Sequence, residues 1–168
     1  MDILKTATDW TRADVMSSWV FVLFGLAFVA ASFGFWQLGR TEMARAYVIP
    51  GLVAGVLLLV LGGGLLYGAQ KTLAGLEPAF TSDARAFVAA EMARVDKTLA
   101  DYSFAVFKVM PLIVAVSAIL MMVLHGPGWR AGLITTMLFI GVIMLVDTNA
   151  NARLQAYKGQ LAKAAEPG

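Results

Sequence analysis

Residues 104–146 read FAVFKVMPLIVAVSAILMMVLHGPGWRAGLITTMLFIGVIMLV, and this stretch decides the fold. Two apolar runs, Phe104–Leu124 and Trp129–Val146, flank the turn His125-Gly126-Pro127-Gly128. Crossing the hydrocarbon core of a bilayer takes roughly 20 apolar residues, with about 17–25 tolerated. Both runs meet that length. A turn this short returns the chain beside itself, so the two runs form an antiparallel helical hairpin.

Toward the N terminus lie two more runs of the same kind, Val15–Gly39 and Ala46–Ala69, joined by a short connection at Arg40–Arg45. Of the 168 residues 60% are hydrophobic and 14% charged, with a mean hydropathy of +0.76. A soluble domain has about 45–50% apolar and about 25% charged residues. The sequence therefore predicts an all-α polytopic membrane protein with four transmembrane helices: two helical hairpins with a cytoplasmic helical extension. The expected segments are an N-terminal cytoplasmic piece (1–14), a first transmembrane hairpin (15–69) and a cytoplasmic linker with an amphipathic helix (70–103). A second transmembrane hairpin (104–146) and a cytoplasmic helical tail (147–168) complete the chain.

The first run is expected to be retained rather than cleaved as a signal peptide. Asp2, Asp9 and Asp14 offset Lys5 and Arg12 before it, and it continues past Ala30-Ala31 through Phe33, Phe35 and Trp36. A cleavable signal has a core of about 7–15 apolar residues. Orientation follows lysine and arginine. Lys5, Arg12, Lys71, Arg85, Arg94, Lys97, Lys108, Arg153, Lys158 and Lys163 fall on one side, and Arg40, Arg45 and Arg130 on the other. Both termini are expected in the cytoplasm. Trp19, Trp36, Tyr47, Tyr67, Tyr102 and Trp129 lie near span ends, as an aromatic belt would.

In the central polar segment, Glu77-Pro78 predicts a break, and Thr81-Ser82-Asp83 offers capping side chains. Val88, Met92, Val95, Leu99 and Tyr102 then recur at steps of four and three, a helical seam of heptad period. Nothing interrupts it before Pro111, where a kink is expected. Ala150, Leu154, Tyr157, Leu161 and Ala164 continue the fourth span as a helical stripe, which Gly159 weakens by roughly 1 kcal/mol. The second hairpin should thus extend beyond the membrane. Centring its turn near Pro127 brings Lys108 level with Asp147, Asp101 with Arg153, Asp96 with Lys158, and Glu91 with Lys163. Lys108–Asp147 and Asp96–Lys158 face each other best. An exposed pair contributes about 0–1 kcal/mol, so such pairs set register more than stability.

The candidate site residues are a polar cluster of Lys108, Asp147, Asn151, Arg153, Asp96 and Lys158. Asp147 leads it, because an acidic group at membrane depth is costly and marks function by default. Its plainer role is an interfacial pair with Lys108. The second span carries Gly51-x-x-x-Gly55 and Gly64-x-x-x-Gly68, and the first offers Ala27/Ala31 and Ala30/Gly34. Small residues four apart let helix backbones approach closely, within one chain or between copies.

Other chemistries lack their residues. With no cysteine and a single histidine, His125, there is no thiolate metal site, iron–sulfur centre, cysteine nucleophile or paired-histidine site within one chain. Ser17, Ser18 and Ser117 have no neighbouring His/Asp partner. Gly62-Gly63-Gly64 lies in an apolar run with no Gly-Lys-Ser/Thr after it, so it is no phosphate loop. A net charge of +2 with dispersed basic residues gives no nucleic-acid footprint. No catalytic residue, metal or cofactor is expected. The expected partners are the lipid bilayer and another protein or the chain itself.

The tail spacing Asp147-x-x-Ala150-x-x-Arg153-x-x-x-Tyr157-x-x-x-Leu161 resembles the ending of uncharacterised bacterial four-span inner-membrane proteins. The resemblance covers about the last third of the chain and the spacing of the spans. It implies a bacterial inner membrane and no particular activity. Three functions remain open: a non-enzymatic accessory or partner-binding protein using its cytoplasmic hairpin, a small oligomeric channel or transporter with Asp147 near the pathway, and a membrane immunity protein against a membrane-acting toxin.

Overall fold

The structure, a computed structural model, describes residues 3–165. The outermost parts of the expected N-terminal segment and tail, 1–2 and 166–168, lie outside the described residues. Every regular element is helical: α1 (Ile3–Leu38), α2 (Glu42–Ala46), α3 (Val48–Ser82), α4 (Ala84–Phe104), a π-helical turn (Ala105–Val109), α5 (Met110–Val123) and α6 (Pro127–Ala165). Four continuous helical stretches are long and apolar enough to cross a membrane: α1, α2 with α3, α4 through α5, and α6.

These helices do not stop where the apolar runs stop. At about 1.5 Å per residue, the 36 residues of α1 and the 39 of α6 give rods of about 54 and 58 Å. The hydrocarbon core is only about 30 Å. The excess lies at one end, where all four helices continue as a stalk beyond the apolar segments. The expected boundaries near residues 14 and 69 are therefore not structural breaks, and the stalk is a four-helix assembly rather than an extension of the second hairpin alone. Its core holds Ile3 and Ala7 from α1, Leu76 from α3, Phe87 and Val95 from α4, and Leu154, Tyr157 and Leu161 from α6.

The break expected at Glu77-Pro78 falls instead at Asp83. α3 runs through Pro78 to Ser82. Proline's φ suits a helix, and its cost is a missing N–H and a crowded preceding turn. The Thr81 hydroxyl donates to the Glu77 and Pro78 carbonyls at 2.8 and 3.1 Å, holding the final turn together. Asp83 is extended (φ −156°, ψ 103°), and its carboxylate accepts from the Arg85 and Ala86 N–H groups at 2.9 and 3.0 Å. That N-cap starts α4. Phe80 and Phe87 close the corner edge to face, 5.5 Å apart.

Pro111 produces a π turn just before itself rather than a simple kink. The proline cannot bond the Phe107 carbonyl and its ring crowds it, and a wider turn relieves both faults. One added residue in a turn rotates the following helix by about 100°. The seam read along α4 therefore does not continue in phase into α5.

In the apolar segments α1 and α3 form the tightest pair, along seams of small residues seven apart. α1 buries Thr11, Ser18, Gly25 and Ser32, with Phe21 between them. α3 buries Gly55, Gly62, Ala69 and Leu76, with Gly51, Ala54 and Leu58. Gly51 and Gly55 thus pack as expected: a Cβ on Gly55 would lie 2.8 Å from Val29 and 2.9 Å from the Gly25 carbonyl. Gly64 and Gly68 do not pack; a Cβ on either meets nothing within 4 Å. The second contact belongs to Gly62, one heptad after Gly55, against Phe21 and Val22. On α1 the contact is made by Ser18, Gly25 and Ser32, while Ala27, Ala30 and Ala31 are exposed and Gly34 has open space beside it. α6 packs on both α1 and α3, whereas α5 packs on α6 and its own π turn alone. Ser117 is the one buried residue of α5.

Candidate functional site

Two polar constellations follow from this packing. The first lies inside the stalk. The α4 seam turns Glu91 inward, leaving its side chain 10% exposed. A buried carboxylate without partners is costly, and Glu91 has several. Arg94, one turn on, forms a forked ion pair with it, with the Nε–Oε1 contact at 3.1 Å. The Tyr157 hydroxyl of α6 donates to Oε2 at 2.9 Å. Trp10 of α1 stacks on Tyr157, with centroids 5.4 Å apart and planes 10° apart. The Arg94 guanidinium sits 4.9 Å from the Trp10 ring centre. One carboxylate thereby ties three helices. Burial, and next the Glu91 carboxylate, push the Tyr157 phenol well above its ordinary range, so it remains a donor.

The second constellation lies where α1 and α6 leave their apolar segments. Arg153 donates to the Ser17 hydroxyl at 2.5 Å. This contact sets the depth of α6 against α1. Asp147 precedes Arg153 by six residues, about 9 Å of helix, and so lies beside the apolar segment of α1 rather than outside it. Asp14 is within electrostatic reach of Asp147, Arg153 and Arg94, and Tyr102 within reach of Asp147, Asp14 and Arg153. Asp14 of α1 is thus a second carboxylate within electrostatic reach of Asp147, with no direct contact between them.

The expected cluster is brought together only in part. Lys158 and Asp96 form an ion pair at 2.7 Å, each about half exposed (45% and 51%), which makes it a register mark of little energetic weight. A second ion pair is Arg94–Glu91. Lys108 and Asp147 do not pair: Lys108 sits exposed on the π turn, rotated out of the seam. Arg153 turns to Ser17 rather than Asp101, and Glu91 to Arg94 and Tyr157 rather than Lys163. Asn151 is half-buried on α6 between Asp147 and Arg153.

Sequence reasoning missed Trp10, Asp14, Ser17, Glu91 and Tyr157 as one another's partners. The available signal was the heptad Thr11, Ser18, Gly25, Ser32, which runs across the supposed boundary at residue 15 and marks the N-terminal segment as part of the bundle.

Two grooves open on the stalk. One, of about 350 Å³, is lined by Thr6, Asp9 and Trp10 of α1 and Arg153, Ala156, Tyr157 and Gln160 of α6. The other, of about 420 Å³, lies in the α3–α4 corner between Thr72, Gly75, Ala79 and Ser82 on one side and Ala86, Phe87 and Ala90 on the other. Among the described residues no three His, Cys, Asp or Glu side chains are grouped to hold a metal ion. No protein-family model, curated protein or solved structure matches the chain.

Proposed function

We propose that this chain is a non-enzymatic, multi-pass protein of the bacterial inner membrane, with both termini cytoplasmic, whose stalk binds another protein. The observation that carries this reading is the amount of helix built outside the apolar segments. A membrane anchor needs roughly 20 residues per span, yet α3 and α6 have 35 and 39. The added length forms a packed four-helix core tied by Glu91, Tyr157, Arg94 and Trp10. The α3–α4 groove supplies a surface with small side chains on both walls, where a partner helix can approach closely. Lysine and arginine bias supports the cytoplasmic side.

The test is photo-crosslinking in cells from probes at Ala79 and Ala90. A discrete adduct is expected, and Ala86→Trp, which fills the groove, should abolish it at unchanged protein level. No adduct from either position would end the partner-binding reading. For orientation, alkaline phosphatase fused after Gly168 should be inactive and fused within 40–45 active.

One observation favours a second reading, a small oligomeric channel or transporter with Asp147 near the pathway. Asp14 is a second carboxylate within electrostatic reach of Asp147, and paired acids at membrane depth are a feature of proton pathways. Proteoliposomes should then show a proton or cation flux that Asp147→Asn abolishes; equal flux in empty and loaded liposomes removes this reading.

A further inference from the structure

We propose that α5 is a hinged span, which swings away from α6 about the π turn while α1, α3 and α6 stay packed together. The inference rests on the reading of the chain as a multi-pass membrane protein and is independent of any stalk partner. α6 packs on both α1 and α3, but α5 meets only α6 and its own π turn. In the most apolar stretch of each span, 11% of the third is buried, against 28% of the second and of the fourth. The face that α5 lays on α6 carries half-buried Met110, Val114 and Met121 around buried Ser117, at helical steps of four, three and four.

Such a contact is weak in lipid. Large apolar side chains gain little by leaving acyl chains, and close backbone approach supplies the attraction. Between α1 and α3 that approach comes from Gly25, Gly55 and Gly62. α5 has no glycine, and Ser117 is its one buried residue. Met110 and Met121 are unbranched and adaptable, so they refit as the helix moves. Both ends of α5 have backbone that bends. At the inner end the Met110 N–H bonds the Ala105 carbonyl, five residues back, and Pro111 supplies no N–H. A π turn beside a proline absorbs a bend without breaking an intact ladder. At the outer end Leu124 is extended (φ −95°, ψ 110°) and stops the helix. A hinge needs only a few such residues to take up the change. The stalk does not follow, because α4 is held there by Phe87, Glu91 and Val95. Lipid acyl chains fill the space that α5 leaves.

Spin labels test this on the full chain in lipid nanodiscs, since the sequence has no cysteine to interfere. Ile49→Cys on α3 is combined with Ile119→Cys on α5 or with Leu138→Cys on α6, all three exposed positions. Distances are read by double electron–electron resonance. The α3–α5 distribution should be about twofold wider than the α3–α6 one, as for a span with two positions. Pro111→Ala, which restores the N–H, should narrow it to the α3–α6 width. Ser117→Leu, which overfills the one buried position, should move it to longer distances. Equal widths in the labelled but otherwise unaltered chain, or a width that Pro111→Ala leaves unchanged, overturns the hinge. Relaxation of the Ile119→Cys label by oxygen, which concentrates in lipid, separates the two readings. Strong relaxation with equal widths ends the hinge alone, whereas a label reached only by an aqueous nickel chelate ends the membrane reading and the hinge with it.

Discussion

The apolar half of this molecule and its stalk are built from the same four helical stretches, yet the α1–α3 contact of the apolar half rests on small residues, beside a core of Phe21, Leu58, Val142, Ile143 and Val146, where the stalk rests on large ones. Between α1 and α3 the apolar half is joined by Ser18, Gly25, Ser32, Gly51, Gly55 and Gly62. The stalk is joined by Phe87, Leu154, Tyr157 and Leu161, with Trp10, Phe80 and Leu99 against them. In lipid, burying a large apolar side chain gains little, because the acyl chains are as apolar as leucine; close backbone approach supplies the attraction. In water, removing apolar surface is worth about 25 cal/mol per Å², and large side chains remove the most. The change of packing style along one helix, from Thr11 and Ala7 outward to Ile3 on α1 and from Gly62 to Leu76 on α3, is the one expected of helices that pass from lipid into water.

The largest break in that comparison should come from Gly55→Leu. Its side chain would press on Val29 and the Gly25 backbone, and a loss of about 3 kcal/mol is expected in a denaturing-detergent titration. Gly68→Leu, facing open space on the same helix, should change stability by less than about 0.5 kcal/mol. Equal effects would erase the small-residue seam. In the stalk the expected losses depend on polar partners. Glu91→Ala removes the acceptor shared by Arg94 and Tyr157 and should cost about 2 kcal/mol, discounted because Arg94 is 37% exposed. Tyr157→Phe removes one hydrogen bond to a carboxylate and should cost about 1 kcal/mol.

A pH titration sharpens the same contact. The Tyr157 phenol is raised above its ordinary value of 10 in the folded stalk, by burial first and by Glu91 second. Its contribution is therefore complete below pH 10 and lost as pH rises toward the folded value. The stability gap between the unaltered protein and Tyr157→Phe should narrow above pH 10 and stay constant from pH 6 to about 9; a constant gap across pH 10 would remove the buried bond to Glu91. The smallest effect belongs to Asp96→Asn. Its pair with Lys158 is half exposed, so about 0–0.5 kcal/mol is expected, diminishing with salt.

Much of the fold was legible because helix length and period are local properties. Four apolar runs, the His125–Gly128 turn and the seams of α4 and α6 are written in consecutive residues, and the Asp96–Lys158 register followed from the turn's position. The break at Asp83 was half legible: a capping aspartate and a proline competed five residues apart, and the helix runs through the proline, its last turn held by Thr81, to end at the extended aspartate. The candidate site was less legible. Lys108–Asp147 failed because Lys108 lies within the π turn before Pro111 and is left exposed there, and no counting along the chain reveals which way that turn faces it.

By itself, then, the sequence determined that four apolar helical runs form, where the chain turns between the last two, and the seams of α4 and α6, since spacing at 3.6 residues per turn is set by the backbone. It also placed Gly51 and Gly55 at a close contact. Which seam meets which was decided only in three dimensions. The joining of α1 to α6 through Trp10–Tyr157 and Ser17–Arg153 spans more than a hundred residues of chain. So do the isolation of α5 against α6 and the choice of Gly62 over Gly64 and Gly68 depend on the fold. The physical reason is that a helix can bury only the stripe its neighbours cover, and the neighbours are chosen by the packing of all four helices together.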